Sequence, residues 1–173
     1  CYIKQADVVL AFYYFPHRFT QQQKRTNFDF YEPMTVHESS LSPSMYSVVA
    51  SASGRYQEAY RLYQRAARLD LDNFNADTED GLHITSMAGS WLAVVQGFAG
   101  LNYHGEHLAF TPRCPEAWRR VSFRILYRGR LLAVSFDSAQ FCLDILEGDA
   151  LTVEVDGKAY CCKQSISVPV SND

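Results

Sequence analysis

Residues 35 to 44, which read Thr-Val-His-Glu-Ser-Ser-Leu-Ser-Pro-Ser, combine an imidazole, a carboxylate and several hydroxyls. Ser42 followed by Pro43 is typical of a helix start, since serine caps helices and proline suits their first position. The free N–H groups and partial positive charge of a helix N-terminus favour anions. The side chains that could add donors to a phosphate there are His37, Ser39 and Ser40. A structural interpretation stays open, in which the serines only cap the helix and His37 is a satisfied polar residue.

A second polar segment covers residues 77 to 86, Asp-Thr-Glu-Asp-Gly-Leu-His-Ile-Thr-Ser. Three carboxylates and His83 precede another predicted helix start, with Thr85 or Ser86 as the expected cap. Carboxylates and imidazole can ligate metal ions. We nevertheless expect no metal, because no second histidine lies at ligand spacing. Capping and solvation of an acidic loop is one remaining interpretation, and a polar active-site loop is the other.

Lys4, Gln5 and Asp7 stand at the entrance of an otherwise apolar segment that is predicted to be helical. Polar groups at the mouth of a buried helix must be paired or must bind a ligand. An ion pair between Lys4 and Asp7, three residues apart, is the ordinary explanation.

The elements that must position these segments change character near residue 101. Before it the apolar periodicity is helical. Helices are predicted over residues 3–15, 21–31, 43–53, 55–69 and 86–97. The fourth of these carries a stripe of tyrosines and alanines with arginines on the opposite face, which predicts a partly buried amphipathic helix. Gly54 is expected to end the third helix.

After residue 101 the period drops towards two, which indicates strands. A hairpin is predicted around Gly129, and strands are predicted over residues 121–127, 131–136, 141–146, 151–155 and 158–162. The predicted fold class is therefore α+β, with helices followed by a small antiparallel β-sandwich. We assign residues 1–101 to the helical domain and residues 102–173 to the sandwich domain.

The composition excludes several classes of protein. The 173 residues are 47% hydrophobic and 20% charged, which is globular rather than disordered or fibrous. A net charge of −3 argues against a general nucleic-acid binder. The apolar run at residues 8–16 is shorter than the roughly 20 residues that a membrane span needs. The five cysteines lack C-x-x-C spacing, so we expect reduced thiols in a cytoplasmic protein.

Three segments together resemble glycoside hydrolase family 65, which includes maltose, trehalose, kojibiose and nigerose phosphorylases. They are Lys4-Gln-Ala-Asp-Val, Tyr31-Glu-Pro-Met-Thr-Val-His-Glu-Ser-Ser-Leu-Ser-Pro-Ser and Asp80-Gly-Leu-His-Ile-Thr-Ser-Met-Ala-Gly-Ser-Trp. The stretch from Phe110 to Trp118 is similar to the family's C-terminal β-sandwich region. The resemblance covers nearly the whole chain and implies the last helices of an (α/α)6 barrel, incomplete here, followed by that sandwich.

The resemblance implies an inverting disaccharide phosphorylase. A carboxylic acid would protonate the glycosidic oxygen while phosphate attacks the anomeric carbon from the opposite face, so that an α-glucoside yields β-glucose 1-phosphate. It implies no cofactor or metal, and inorganic phosphate is the co-substrate. The implied glucose ligands are Lys4 and Gln5, the implied phosphate ligands are His37, Ser39 and Ser40, and His83 and Thr85 lie near the same pocket.

One departure from the family pattern concerns the general acid. In the family it is a glutamate upstream of the Lys-Gln motif, on a segment that this chain does not contain. We therefore expect residues 1–173 alone to be inactive, and we expect Cys1 to follow a cut through a longer protein. The implied partners are an α-linked glucose disaccharide, phosphate, the upstream part of the enzyme and a second copy in a homodimer, with no nucleic acid and no membrane.

Two alternatives stay open. In an inverting hydrolase of the same family Glu38 would be the general base that activates water, although the paired hydroxyls of Ser39 and Ser40 suit phosphate better. In a non-catalytic carbohydrate-binding or interaction module the sandwich would bind sugar, with Trp118 as a stacking platform. A tryptophan with a packing role is the ordinary explanation for Trp118.

Overall fold

The computed structural model describes residues 2–74 and 76–171, which divide into two units. The first unit ends at Gly97 and the second begins at Phe98. The described part of the first unit holds the helices α1 (Asp7–Tyr14), α2 (Gln21–Tyr31), α3 (Ser42–Ala52), α4 (Tyr56–Ala67) and α5 (Ile84–Leu92). Every predicted helix is present, and α5 continues as a π-helix over Ala93–Phe98. None of the described helices is long and apolar enough to cross a membrane.

Helix α3 is the core element of the first unit, and all its residues from Ser42 to Ser51 are buried. Its serine hydroxyls all have partners. Ser47 donates to the Ala59 carbonyl at 2.7 Å and Ser51 to the Gly97 carbonyl at 2.8 Å, and Ser42 is bonded to a side chain. A helix with so many hydroxyls can be buried only because each finds a partner. The small serine side chains also allow neighbouring helices to approach closely.

Two helix starts differ from their predicted positions. Helix α1 begins at Asp7 rather than Ile3, because Ile3 is held by a bridge to Thr35, with its N–H donating to the Met34 carbonyl at 2.9 Å. Ser42 is the first residue of α3 rather than its cap, and Leu41 occupies the cap position without a side-chain hydrogen bond. The Ser42 hydroxyl is used elsewhere, as described below. Gly54 ends α3 as predicted, with φ at +76°.

The described part of the second unit is built from strands. They are β1 (Leu108–Phe110), β2 (Val121–Tyr127), β3 (Arg130–Phe136), β4 (Gln140–Glu147), β5 (Leu151–Val155), β6 (Lys158–Cys162) and β7 (Ser165–Pro169). One sheet has the order β1-β5-β6 and the other the order β2-β3-β4-β7. Neighbouring strands are antiparallel, apart from β1, which runs parallel to β5. The α+β fold class is confirmed.

The two sheets share an aromatic core. Phe110 of β1 and Phe141 of β4 lie with ring centroids 4.9 Å apart, and both are buried. The predicted hairpin at Gly129 is confirmed, since Arg128 and Gly129 both have positive φ, as a two-residue turn requires. Cys161 is exposed and Cys162 is buried, as expected for neighbours on a strand. The strands β1 and β7 were not predicted. Strand β1 has only three residues, and β7 is polar and ends in proline.

Candidate functional site

The predicted sugar ligands lie beside the predicted phosphate loop. The bridge between Ile3 and Thr35 continues with the Val36 N–H, which donates to the Ile3 carbonyl at 3.0 Å. It brings exposed Lys4 next to the loop, where its Nζ lies 3.9 Å from Glu38 Oε2. This carboxylate, rather than Asp7, is the partner of Lys4. With both side chains about two-thirds exposed, the pair is weak and both groups stay available to a ligand.

His37 lies beneath the loop rather than on its surface. Its side chain is buried, and its backbone is in the left-handed region with φ at +54°. Ring Nδ1 is 2.8 Å from the Ser42 hydroxyl, and the ring packs edge-on against Tyr46 at 4.9 Å. Burial, together with the nearby charges of Arg65 and Arg61, lowers the pKa of His37 to about 4. The imidazole is therefore neutral near pH 7, and its predicted role as a phosphate ligand stays a prediction.

The remaining contacts of His37 do not make Ser42 a nucleophile. Nε2 of His37 lies 3.9 Å from Glu32 Oε1, which is beyond hydrogen-bond distance. Glu32, His37 and Ser42 therefore do not form a connected series of acid, base and nucleophile. Ser42 is also completely buried. Burial, followed by the neighbouring Glu58, raises the pKa of Glu32, while Arg61 opposes the shift. This cluster supports the loop from the buried side.

Arg65 contacts the loop in a way that the sequence did not indicate. Its Nη2 donates to the backbone carbonyl of His37 at 3.2 Å and of Val36 at 3.4 Å. The periodicity of α4 places this arginine on the polar face, where sequence reasoning assigns it to solvent. Only the structure shows that this face meets the loop. Arg65 thereby ties α4 to the loop that carries Ser39 and Ser40.

The two polar segments that the sequence analysis treated separately meet in the structure. The Ser40 hydroxyl lies 2.7 Å from the Thr85 hydroxyl, which joins the loop before α3 to the first turn of α5. The Ser39 carbonyl accepts the Ser42 N–H at 3.0 Å, so the turn that presents Ser39 and Ser40 is closed by backbone. Two helix N-termini, each with its partial positive charge, therefore converge beside these hydroxyls.

The start of α5 also differs from the prediction. His83, rather than Thr85 or Ser86, occupies the cap position. The Thr85 hydroxyl faces Ser40, whereas the buried Ser86 hydroxyl donates to the Ala66 carbonyl at 2.8 Å. Thr85 is therefore free of the capping role that the sequence suggested, and it stands on the same side as the serine pair.

His83 is held by carboxylates. Its ring Nδ1 lies 2.6 Å from Asp70 Oδ1, and its backbone N–H donates to Asp70 Oδ2 at 2.9 Å. Nε2 lies 3.4 Å from Asp77 Oδ2. The hydrogen bond to Asp70 is the main reason why the pKa of His83 is raised, and the same bond lowers the pKa of Asp70. The charged form of His83 is thus favoured, whereas the neutral form of His37 is favoured.

The remaining sequence predictions concern the role of Trp118 and the ligation of a metal ion. Trp118 packs edge-on against Phe98, with centroids 5.2 Å apart, which fits the packing role and does not make it an open platform. Among residues 2–74 and 76–171, no group of three or more histidine, cysteine or acidic side chains is arranged to hold a metal ion.

Comparison with known proteins covers both units. The model of the glycosyl hydrolase family 65 central catalytic domain matches residues 1–92, and that of the family's C-terminal domain matches residues 101–161. The maltose phosphorylase of Bacillus subtilis is 53% identical over 154 residues, which are 89% of this chain and 20% of that protein. An α,α-trehalose phosphorylase of Thermoanaerobacter brockii is 39% identical over 87% of this chain and 19% of its own length.

A solved structure gives the same picture of the fold. A protein from the human microbiome, provisionally named a kojibiose phosphorylase, superposes with a TM-score of 0.94 at 35% identity. The superposition covers 99% of this chain and 25% of that one. The chain spans about a fifth of the length of the curated relatives it matches.

Proposed function

Because the chain belongs to glycosyl hydrolase family 65, we propose that it supplies the phosphate side of an inverting phosphorylase that cleaves an α-linked glucose disaccharide. The observation that carries the proposal is the contact between the Ser40 and Thr85 hydroxyls at 2.7 Å. It brings two separate polar segments to one place, at two helix N-termini. On the side of the nucleophile an inverting hydrolase needs a base and a water molecule, and a set of hydroxyl donors suits phosphate better.

The phosphate pocket is formed by Ser39, Ser40, Thr85 and His83. Ser39 and one hydroxyl of the bonded Ser40–Thr85 pair can each donate to a phosphate oxygen, while the other hydroxyl of the pair donates to its neighbour. The raised pKa of His83 adds a charged donor. Anions are further favoured by the N-termini of α3 and α5. His37 acts from beneath in this proposal, because its ring is buried and bonded to Ser42. It shapes the loop, together with Arg65.

Glucose is bound next to the phosphate by Lys4 and Gln5. The backbone bridge at Ile3 fixes their distance from the phosphate loop. A fixed distance suits phosphorolysis, since the attacking oxygen and the anomeric carbon must be held close together and in line. Attack from the side opposite to the leaving group inverts the anomeric centre, so an α-linked glucoside gives β-glucose 1-phosphate. Inorganic phosphate is the co-substrate, and no cofactor is needed.

The proton donor to the leaving sugar lies on the part of the enzyme that the relatives have and this chain lacks. The chain therefore works with the rest of the catalytic domain as its partner, and a second copy of the whole enzyme completes a dimer. Glu38, exposed in the loop and paired only weakly with Lys4, is the residue on which a hydrolytic mechanism would depend.

The proposal is tested in a hybrid enzyme, in which this chain replaces the matching segment of the Bacillus subtilis maltose phosphorylase. Maltose, trehalose and kojibiose are offered with and without inorganic phosphate, and glucose 1-phosphate and glucose are measured. We expect glucose 1-phosphate from one of the sugars, at a rate that saturates with phosphate. Glu38→Gln should keep most of that rate. Release of free glucose that ignores phosphate and disappears in Glu38→Gln would establish hydrolysis instead.

A further inference from the structure

Asp70 stands out because no motif marks it and yet it makes the closest contacts of His83. It lies just after α4, and its carboxylate holds His83 at two points, ring Nδ1 at 2.6 Å and the backbone N–H at 2.9 Å. Since His83 is the cap residue of α5, the same carboxylate fixes the ring orientation and the start of the helix that carries Thr85.

The two carboxylates around the ring differ in their surroundings. The Asp70 side chain is 12% exposed, whereas that of Asp77 is 35% exposed and lies farther from the ring, with Oδ2 3.4 Å from Nε2. Asp70 is therefore a fixed support on one side of the imidazole. Nε2 faces Asp77, which is the more exposed of the two carboxylates.

We propose that Asp70 is a positioning residue that orients His83 so that Nε2–H donates to inorganic phosphate, which takes the place of Asp77. The inference rests on the proposed function, since it concerns the same phosphate pocket. With Asp70 accepting the proton of Nδ1, Nε2 carries a proton as well only when the ring is an imidazolium, which the adjacent carboxylate favours.

The exchange has a consequence for the choice of nucleophile. A phosphate dianion replaces one negatively charged partner of the ring by another, so the charge of His83 stays compensated. A water molecule offers no such compensation and does not compete with Asp77 for a charged donor. The charged His83 ring, rather than the carboxylates that surround it, thus favours an anion over water, which favours phosphorolysis.

The test follows the His83 ring by NMR in the ¹⁵N-labelled chain during titration with inorganic phosphate, with His83→Gln to assign the signals. Asp70→Asn should weaken phosphate binding by about tenfold or more, because the donor loses its charge and orientation. Asp77→Asn should bind phosphate at least as tightly as the wild type. Asp70→Glu should recover part of the lost affinity. Asp72→Asn is the matched control, since Asp72 pairs with Arg68 and not with His83.

The direction in which phosphate affinity changes in Asp70→Asn distinguishes an orienting role of Asp70 from a purely electrostatic one. Removing a negative charge near an anion site should by itself tighten phosphate binding, so weaker binding in Asp70→Asn supports the orienting role. Without phosphate, the same variant should also lower the pKa of His83, while Asp72→Asn should not. Wild-type affinity or tighter binding in Asp70→Asn overturns the inference alone. If no wild-type ring signal responds to phosphate, the phosphate pocket itself is overturned and the inference with it.

Discussion

At the scale of single residues, two histidines in similar polar motifs have opposite surroundings. His37 is buried near two arginines of α4, which lowers its pKa, and His83 is held by a carboxylate, which raises its pKa. The sequence identified both as candidates, but it contains nothing that assigns their charge. That difference depends on burial, on Asp70 and on the arginines of α4, which only the folded chain brings near the rings.

The first prediction concerns His37 and the pH dependence of stability. Its ordinary pKa of 6.5 applies to the unfolded chain, and the folded value is about 4. Between pH 6.5 and 4, His37 is protonated in the unfolded chain and neutral in the folded chain. The free energy of unfolding therefore falls as the pH falls towards 4. The loss amounts to roughly 3 kcal/mol. Urea unfolding of the chain between pH 4 and 8 measures it.

His37→Gln should flatten this part of the pH profile, since glutamine has no proton to take up. The matched control is His17→Gln, a change at an exposed histidine on another segment. It should leave the slope between pH 4 and 6.5 as in the wild type. A slope that persists unchanged in His37→Gln would show that another group causes it.

The second prediction concerns Arg65, which donates to the carbonyls of Val36 and His37. Arg65→Ala leaves these partly buried carbonyls without their charged donor, and we expect a loss of about 1–3 kcal/mol in the free energy of unfolding. Arg68→Ala on the same helix is the control, because its partner Asp72 is a surface pair that contributes little. Equal effects of the two substitutions in urea unfolding would rule out a special role for Arg65.

At the scale of elements, the contact between α3 and α5 positions both sides of the proposed phosphate pocket. Gly89 of α5 lies so close to α3 that a Cβ would stand 2.6 Å from Ser44 Cβ and would collide with the Ser44 hydroxyl. The helices can only approach this far because a glycine faces a serine. The site therefore depends on a residue four positions beyond Thr85, which contacts no ligand.

The third prediction follows from that packing. Gly89→Ala should lower the free energy of unfolding by about 1–3 kcal/mol through overpacking, despite the gain in helix propensity. Gly97→Ala is the control, since its nearest neighbour is the Val48 Cα at an ordinary 3.5 Å. Adding Ser44→Gly to Gly89→Ala should recover part of the loss. If Gly89→Ala is as stable as the control in urea unfolding, the close contact does not exist in solution.

Most elements could be predicted from the sequence, and the exceptions have physical causes. The helices and long strands follow from their apolar periods and from Gly54 and Gly129. Helix α1 begins late because the long-range bridge between Ile3 and Thr35 outweighs a locally helical pattern. Strand β1 is too short for a period to show, and its partner β5 lies far along the chain.

At the scale of the whole molecule, the proposed function gives the chain one side of a reaction centre. The sequence motifs predicted Lys4, Gln5, Ser39 and Ser40 as site residues, and their resemblance to a family supplied the roles. Asp70 and Arg65 could not be predicted, because aspartate after a helix and arginine on its polar face are ordinary at any surface. Their importance depends on which segment the fold brings against them.

The fourth prediction is that the 173-residue chain by itself releases no glucose 1-phosphate from maltose, trehalose or kojibiose with inorganic phosphate. The reason is that protonation of the leaving oxygen requires a carboxylic acid that the proposal places on the rest of the enzyme. The hybrid enzyme is the positive control under the same conditions. Phosphorolysis by the chain alone would mean that one of its own carboxyl groups is the acid.

The most direct test of the phosphate pocket is the KM for inorganic phosphate in the hybrid enzyme with Ser39→Ala and Ser40→Ala combined. We predict that this KM rises by about tenfold for each hydroxyl that binds the charged ligand, while the KM for the disaccharide changes little. Ser138→Ala, at an exposed turn of the second unit, should leave both values unchanged. A phosphate KM that stays at the wild-type value in the double variant would contradict the proposal.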